Sequence, residues 1–279
     1  MRMIASILTG LVLCVASVPG AWAQAVPGAP DLPAALRGTS FHWDSPALGR
    51  GLDIYVRLPP DYDSDGPAYP VVYLLDGDSL FPILAANHLF LHYDDGLPEA
   101  VVVGIAYGGF DPSVNRRNID FQTPGEGVPE GDAGAEAFLS ALRDELMPMV
   151  ESRFHVDPEQ RVLFGQSRGG AFVLYSAIRD PDLFWGRIAS NPSLTPGLES
   201  LLEAPAAAAR DDLVLVLTSG TRDRADLQVE AADWLTVWQG RADRPWTIHG
   251  IRIEGGTHAA DAATAYRQAL NRLFRPPQP

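Results

Sequence analysis

The chain has 279 residues, 46% hydrophobic and 20% charged, enough apolar material for one large core and too ordered in composition for general disorder. Its formal net charge is −14, from 35 acidic and 21 basic residues, and it contains no lysine. A charge of that sign excludes nucleic-acid binding, which needs a basic face, and suits a small neutral or cationic partner.

The first predicted element is a leader. Arg2 precedes an apolar run over residues 4–18, a Pro19-Gly20 break follows, and Ala21-Trp22-Ala23 presents small residues where a signal peptidase cuts. A signal peptide over residues 1–23, cleaved after Ala23, is expected, and with it a periplasmic or secreted protein. The run is short for a membrane span and no later run is long enough, so no membrane anchor is expected. The single cysteine, Cys14, lies in this leader, behind Leu13 rather than the small residue of a lipoprotein signal. Residues 24–38, rich in Ala, Pro and Gly, read as a loose arm, and residues 39–275 as the folded domain.

Residues 39–43 and 52–58 read as antiparallel strands, the second alternating Ile54, Val56, Leu58. Residues 71–75 form a continuous apolar run, as expected of a strand covered on both faces. Residues 101–106, 161–164 and 213–217 repeat that pattern, and 247–253 does so more weakly. Helical spacing separates them, with Phe138, Leu142, Leu146 and Met149 on one face, and Tyr266, Ala269, Leu270 and Leu273 on another. Trp185, Trp234 and Trp238 are expected in the core. Strands alternating with helices predict an α/β fold of the α/β-hydrolase kind, a mostly parallel sheet with helices on both faces and an antiparallel N-terminal edge. The long stretch 107–134 is dominated by Gly, Pro, Asp and Glu and leaves a strand end, so it is expected to border the ligand crevice.

Gly165-Gln166-Ser167-Arg168-Gly169 lies between a predicted buried strand and an apolar helix over 171–178. Gly-x-Ser-x-Gly alone is weak, but at a strand-to-helix turn it predicts a nucleophile held in a strained conformation between small neighbours. A serine nucleophile needs a base. His258, in Gly255-Gly256-Thr257-His258, follows the last predicted strand, where the chain order Ser, acid, His places it. The acid should follow the strand 213–217. Asp223 is nearest the strand end, and Asp226 is the alternative. Such an acid fixes the imidazole tautomer that can take the serine proton. Two backbone N–H groups should meet the oxyanion, those of Arg168 and Asp78. Arg116 and Arg117, in the long loop, are candidates for binding a planar anionic group of a substrate.

Taken together, "VVYLLDGDSLF", the arginine loop ending in Asp120-Phe121-Gln122-Thr123-Pro124, "GQSRGG", "SNPSL", "SGTRD" and "GGTH" resemble the putative-esterase family of α/β-hydrolases. That family holds esterase D, ferric-siderophore trilactone esterases, feruloyl esterases and mycolyltransferases. The resemblance covers nearly all of the chain from residue 39 and is closest to the exported siderophore-esterase and esterase D branch. It implies a serine esterase for a small-molecule ester, without cofactor, in which Ser167 and His258 carry catalysis and Asp223 stands where several relatives keep their acid. Arg168 departs from the apolar or aromatic residue usual in relatives, and Gln166 replaces a frequent His. Two other functions stay open at this level: an acyltransferase using the same acyl-enzyme, and a non-catalytic siderophore-binding protein on a hydrolase scaffold. A metal site is not expected. His88 and His92 are four apart on a predicted helix, but the stretch lacks the zincin glutamate and a third ligand, and both imidazoles are expected to be exposed.

Overall fold

A computed structural model describes residues 38–129 and 131–275. The predicted leader and nearly all of the predicted arm lie outside the described residues. An eight-stranded sheet forms the centre: β1 (Gly38–Ser45), β2 (Arg50–Arg57), β3 (Tyr69–Leu74), β4 (Val101–Ala106), β5 (Val156–Gln166), β6 (Gly186–Ser190), β7 (Val214–Gly220) and β8 (Thr247–Ile253). Their spatial order is β1-β2-β4-β3-β5-β6-β7-β8. β1 pairs antiparallel with β2, and β2 with β4; every other pair is parallel. Parallel neighbours need crossovers, and the main helices supply them. The connecting helices are α1 (Gly77–Asp95), α2, α3 (Arg168–Arg179) and α4 (Ala225–Gly240), while α5 (Ala262–Phe274) follows the last strand. α2 runs Ala135–Ala141, widens to a π-helical stretch over Leu142–Leu146, and continues Met147–Arg153.

Each central strand feeds two cores, because successive side chains point to opposite faces. Val71, Tyr73 and Leu75 join α2, α3 and α4 on one side, while Val72 and Leu74 join α1 and α5 on the other. This explains the unbroken apolar runs. β8 is an edge strand with mostly half-exposed residues, hence its weaker pattern. Trp234 and Trp238 are buried on α4, and both indole N–H groups donate to the Leu201 carbonyl at 3.0 Å. Trp185 is only half-buried, packed on Phe274.

β6 and the two histidines of α1 also differ from the sequence reading. β6 was not foreseen, because Gly-Arg-Ile-Ala-Ser is short and carries a charge. Arg187 is nevertheless fully buried. Its five N–H donors meet Ser176 Oγ and the carbonyls of Ser176, Asp180, Pro181 and Phe184, so the guanidinium closes the C-terminal end of α3. Burial pushes its pKa down to about 9. The other correction concerns these histidines, of which His88 is wholly buried rather than exposed. One ring nitrogen bonds Tyr266 Oη at 2.9 Å and the other bonds the Pro98 carbonyl at 3.3 Å. His92, half-buried, donates to the Leu97 carbonyl at 2.8 Å.

Candidate active site

The site forms where β5 turns into α3. Ser167 has φ 57° and ψ −121°, a region that costs a non-glycine residue about 1–3 kcal/mol. The surrounding backbone holds it there. Its N–H donates to the Ser190 carbonyl at 2.9 Å, and its own carbonyl accepts from Ala171 and Ser193 at 3.1 Å. The glycines on either side are not equivalent. A Cβ on Gly165 would lie 2.3 Å from the Gly169 carbonyl oxygen, so the two arms of the turn touch there. A Cβ on Gly169 would meet only an ordinary 3.4 Å contact with Asp76 Oδ2, so the expectation that both positions are sterically closed holds for Gly165 alone.

Two segments from the C-terminal third complete the arrangement. Asp223 lies three residues beyond β7, and His258 lies between β8 and α5. His258 Nε2 is 2.9 Å from Ser167 Oγ, and His258 Nδ1 is 2.9 Å from Asp223 Oδ2. The Asp223 side chain is 2% exposed and that of His258 is 37% exposed. With Nδ1–H donating to the carboxylate, the Nε2 lone pair is left to receive the serine proton. The other Asp223 oxygen accepts from the Arg224 amide at 2.7 Å, which fixes the carboxylate plane. Asp226 is instead exposed and paired with Arg224.

Asn191 locks these two segments together, and sequence reasoning gave it no role. It is buried, with φ 41°. Its Oδ1 accepts from the Gly220 amide at 2.7 Å, and its Nδ2 donates to the carbonyls of Thr257 and His258 and to Asp261 Oδ1. One amide group thereby spaces the end of β7 from the His258 loop. The Arg222 amide adds a bond to the Gly256 carbonyl at 2.8 Å, and Gln166 Nε2 donates to the His258 carbonyl. The sequence signal for it is an asparagine within a family motif, and the left-handed conformation that asparagine takes is invisible in the sequence.

The N-termini of α1 and α3 meet beside Ser167. The Arg168 amide opens α3, and the Asp78 amide lies in the first turn of α1, so neither has a partner within its helix. Both helix dipoles favour negative charge there. The turn before α1 is compressed. Asp76 is left-handed (φ 54°), and a Cβ on Gly77 would lie 2.8 Å from the β4 backbone at Ile105. The side chains of Asp76 and Asp78 are both engaged by the long loop 107–134. Asp78 accepts from the amides of Tyr107 and Gly108 at 2.7 and 3.0 Å. Asp76 accepts from Arg117 Nε at 2.6 Å and Nη2 at 3.0 Å.

A cleft of about 240 Å³ opens over Ser167 and His258, lined by Asp76, Asp78, Phe110 and Arg117 among others. The long loop therefore borders the crevice, as its position after β4 predicts. Arg117 faces this cleft with its guanidinium held by Asp76, whereas Arg116 is exposed and outside the lining. The Arg168 side chain turns to Gln122 Oε1, whose amide nitrogen is itself fixed by the carbonyls of Thr123 and Pro196 at 2.8 Å each. Among the described residues no group of three or more His, Cys, Asp or Glu side chains could hold a metal ion.

Comparison with known proteins gives a consistent result. The family model described as "Putative esterase" matches residues 45–273. Ferri-bacillibactin esterase BesA of Bacillus subtilis is 34% identical over 143 residues, 45% of this chain and 48% of that protein. The siderophore triacetylfusarinine C esterase of Aspergillus fumigatus is 29% identical over 163 residues, 55% of this chain and 49% of that protein. These matches span about half the length of the curated relatives. The siderophore hydrolase EstB from Aspergillus nidulans superposes with a TM-score of 0.73 at 21% identity, over 87% of this chain and 97% of its own. The sheet order, the turn at Ser167 and this likeness identify the α/β-hydrolase fold.

Proposed function

We infer that this chain, which belongs to the putative-esterase family, is an exported serine hydrolase that cleaves a carboxylic ester through an acyl-enzyme. The observation that carries the inference is the relay of two 2.9 Å contacts, Ser167 Oγ to His258 Nε2 and His258 Nδ1 to Asp223 Oδ2, on a serine of strained backbone. Ser167 Oγ attacks the ester carbonyl while its proton passes to His258 Nε2. Asp223 keeps the imidazole oriented and stabilises the imidazolium that forms. The amides of Arg168 and Asp78 receive the oxyanion. Collapse of the tetrahedral adduct breaks the C–O bond, and the proton on His258 goes to the departing alcohol. Water, deprotonated by His258, then attacks the acyl-serine and releases the acid and Ser167.

Siderophore-type esters are the substrate class this inference favours, since the named relatives include a ferri-bacillibactin esterase and a triacetylfusarinine C esterase. Export rests on the leader over residues 1–23, with the arm 24–38 linking it to the folded domain. The test is product analysis of a ferric catecholate trilactone and of p-nitrophenyl acetate, each with and without added acceptor alcohol. Free acid in every case, lost in Ser167→Ala, is the expected result. Acyl transfer to the alcohol in preference to water would make the protein an acyltransferase, and binding without turnover would make it a carrier.

A further inference from the structure

Two carboxylates flank the turn whose amide would meet the oxyanion. Asp76 and Asp78 flank Gly77 at the N-terminus of α1, the turn that presents the Asp78 amide. Asp76 Oδ2 also packs against α3, 3.4 Å from where a Gly169 Cβ would be, in the same first turn that begins with the Arg168 amide. Uncompensated, such a charge works against the reaction. A unit charge about 6 Å from a developing oxyanion is worth about 10²-fold in rate at an effective dielectric of about 20.

The long loop answers both charges. At its start it gives Asp78 two backbone N–H groups, and ten residues later it gives Asp76 the forked guanidinium of Arg117. The fork is backed from behind. The Arg117 amide donates to Asn115 Oδ1, and Asn115 Nδ2 donates to the Gly109 carbonyl at 2.9 Å. The single helical turn Arg117–Asp120 is tied to α2 by the Gly134 amide on the Ile119 carbonyl at 2.9 Å. Its last residue, Asp120, accepts from Tyr107 Oη at 2.8 Å and from Arg50. A guanidinium committed to two bonds with one carboxylate is poorly placed to serve as a substrate's main anchor.

We propose that Arg117 is a positioning residue: it fixes the turn that presents the Asp78 amide and cancels the Asp76 charge beside the oxyanion, instead of clamping the substrate. This assignment rests on the serine-hydrolase function proposed above. It makes the loop 107–134 part of the catalytic apparatus through its bonds to the turn. It also accounts for an acidic turn, Asp-Gly-Asp, at a position that must favour negative charge.

The experiment compares Arg117→Met, Asp76→Asn/Arg117→Met and Arg117→Lys on p-nitrophenyl acetate, an uncharged ester with no anion for an arginine to bind. The expected result is a fall in kcat on the order of 10²-fold for Arg117→Met, with KM changed by less than about threefold. The double variant should regain about tenfold or more over Arg117→Met, because it removes the stranded charge together with its partner. Arg117→Lys, which keeps the charge and loses the fork, should fall between wild type and Arg117→Met. An unchanged kcat in Arg117→Met, with KM raised only for anionic esters, would overturn the proposal in favour of a substrate clamp. A double variant no faster than Arg117→Met would overturn it in favour of a purely structural ion pair. If Arg117→Met does not fold, the double variant decides alone: folded and within about tenfold of wild-type kcat supports the proposal, and folded but slower than that overturns it. If the double variant is also unfolded, the pair is structural and the proposal fails. A wild-type protein without any turnover would sink the hydrolase function itself, a failure distinct from all of these.

Discussion

His88 and His258 are the same side chain in two regions of the molecule, and each makes two ring contacts. On the α1–α5 side His88 is fully buried between a tyrosine hydroxyl and a carbonyl, both neutral. Burial pushes its pKa down to about 4, so it stays an uncharged packing element across physiological pH. At the carboxyl end of the sheet His258 is part exposed, with a carboxylate on one nitrogen and a serine hydroxyl on the other. A carboxylate partner stabilises an imidazolium, whereas His88 has none to do so. The comparison separates a histidine packed between neutral groups from one set between a hydroxyl and a carboxylate. The difference lies in partners and exposure, not in the number of bonds.

That contrast can be broken most sharply at Ser167. Ser167→Ala should lower kcat/KM for a p-nitrophenyl ester by about 10⁴- to 10⁶-fold with little change in melting temperature, because the members of such a triad act as a unit. Next in size is Asp223→Asn, expected to cost about 10³- to 10⁴-fold in kcat by turning the imidazole to the wrong tautomer. Asp226→Asn is its control and should leave kcat within about twofold, since Asp226 is exposed and pairs with Arg224 at the surface. Equal losses in the two variants would remove the special place given to the His258 carboxylate partner.

Asn191→Ala tests the spacing. It deletes four hydrogen bonds between the ends of β6 and β7 and the His258 loop, and should lower kcat about 10- to 10²-fold while costing about 2–3 kcal/mol of stability. A stability loss with unchanged kcat would show that the loop keeps its geometry without the clamp.

His88 sharpens the comparison from the other side. Its folded pKa, about 4, lies below the ordinary value of 6.5, so between these pH values the unfolded chain binds more protons. The stability it contributes is therefore complete above about pH 6.5 and is lost as pH falls toward 4, by about 3 kcal/mol in all. His88→Gln should flatten that part of the denaturation profile measured from pH 7 to 4, and leave kcat at neutral pH unchanged. An unchanged acid limb would contradict the neutral, buried state described for His88.

The candidate site was legible where it is compressed into few residues or set by chain order. Gly165 to Gly169 states its turn in five contiguous residues, and Asp223 and His258 follow strand ends that apolar runs make visible. The architecture was legible for the same reason, because central strands such as β4 are buried along their whole length. β6 is hidden in the sequence because a five-residue strand with a charge looks like a loop, and its arginine is accommodated by the Ser176 hydroxyl and by carbonyls at and just beyond the end of α3. Asn191 could not be assigned because its meaning depends on three segments that meet only in the fold. The directions of the Asp76 and Asp78 side chains were hidden likewise, being set by a loop 29 to 41 residues downstream.

Covalent capture tests the central claim most directly. The purified protein, incubated with diisopropyl fluorophosphate, should gain one diisopropylphosphoryl group per chain, mapped to Ser167 by tandem mass spectrometry, and the Ser167→Ala variant should gain none. A wild-type chain that stays unmodified, or one modified at another residue with Ser167 untouched, would contradict the account.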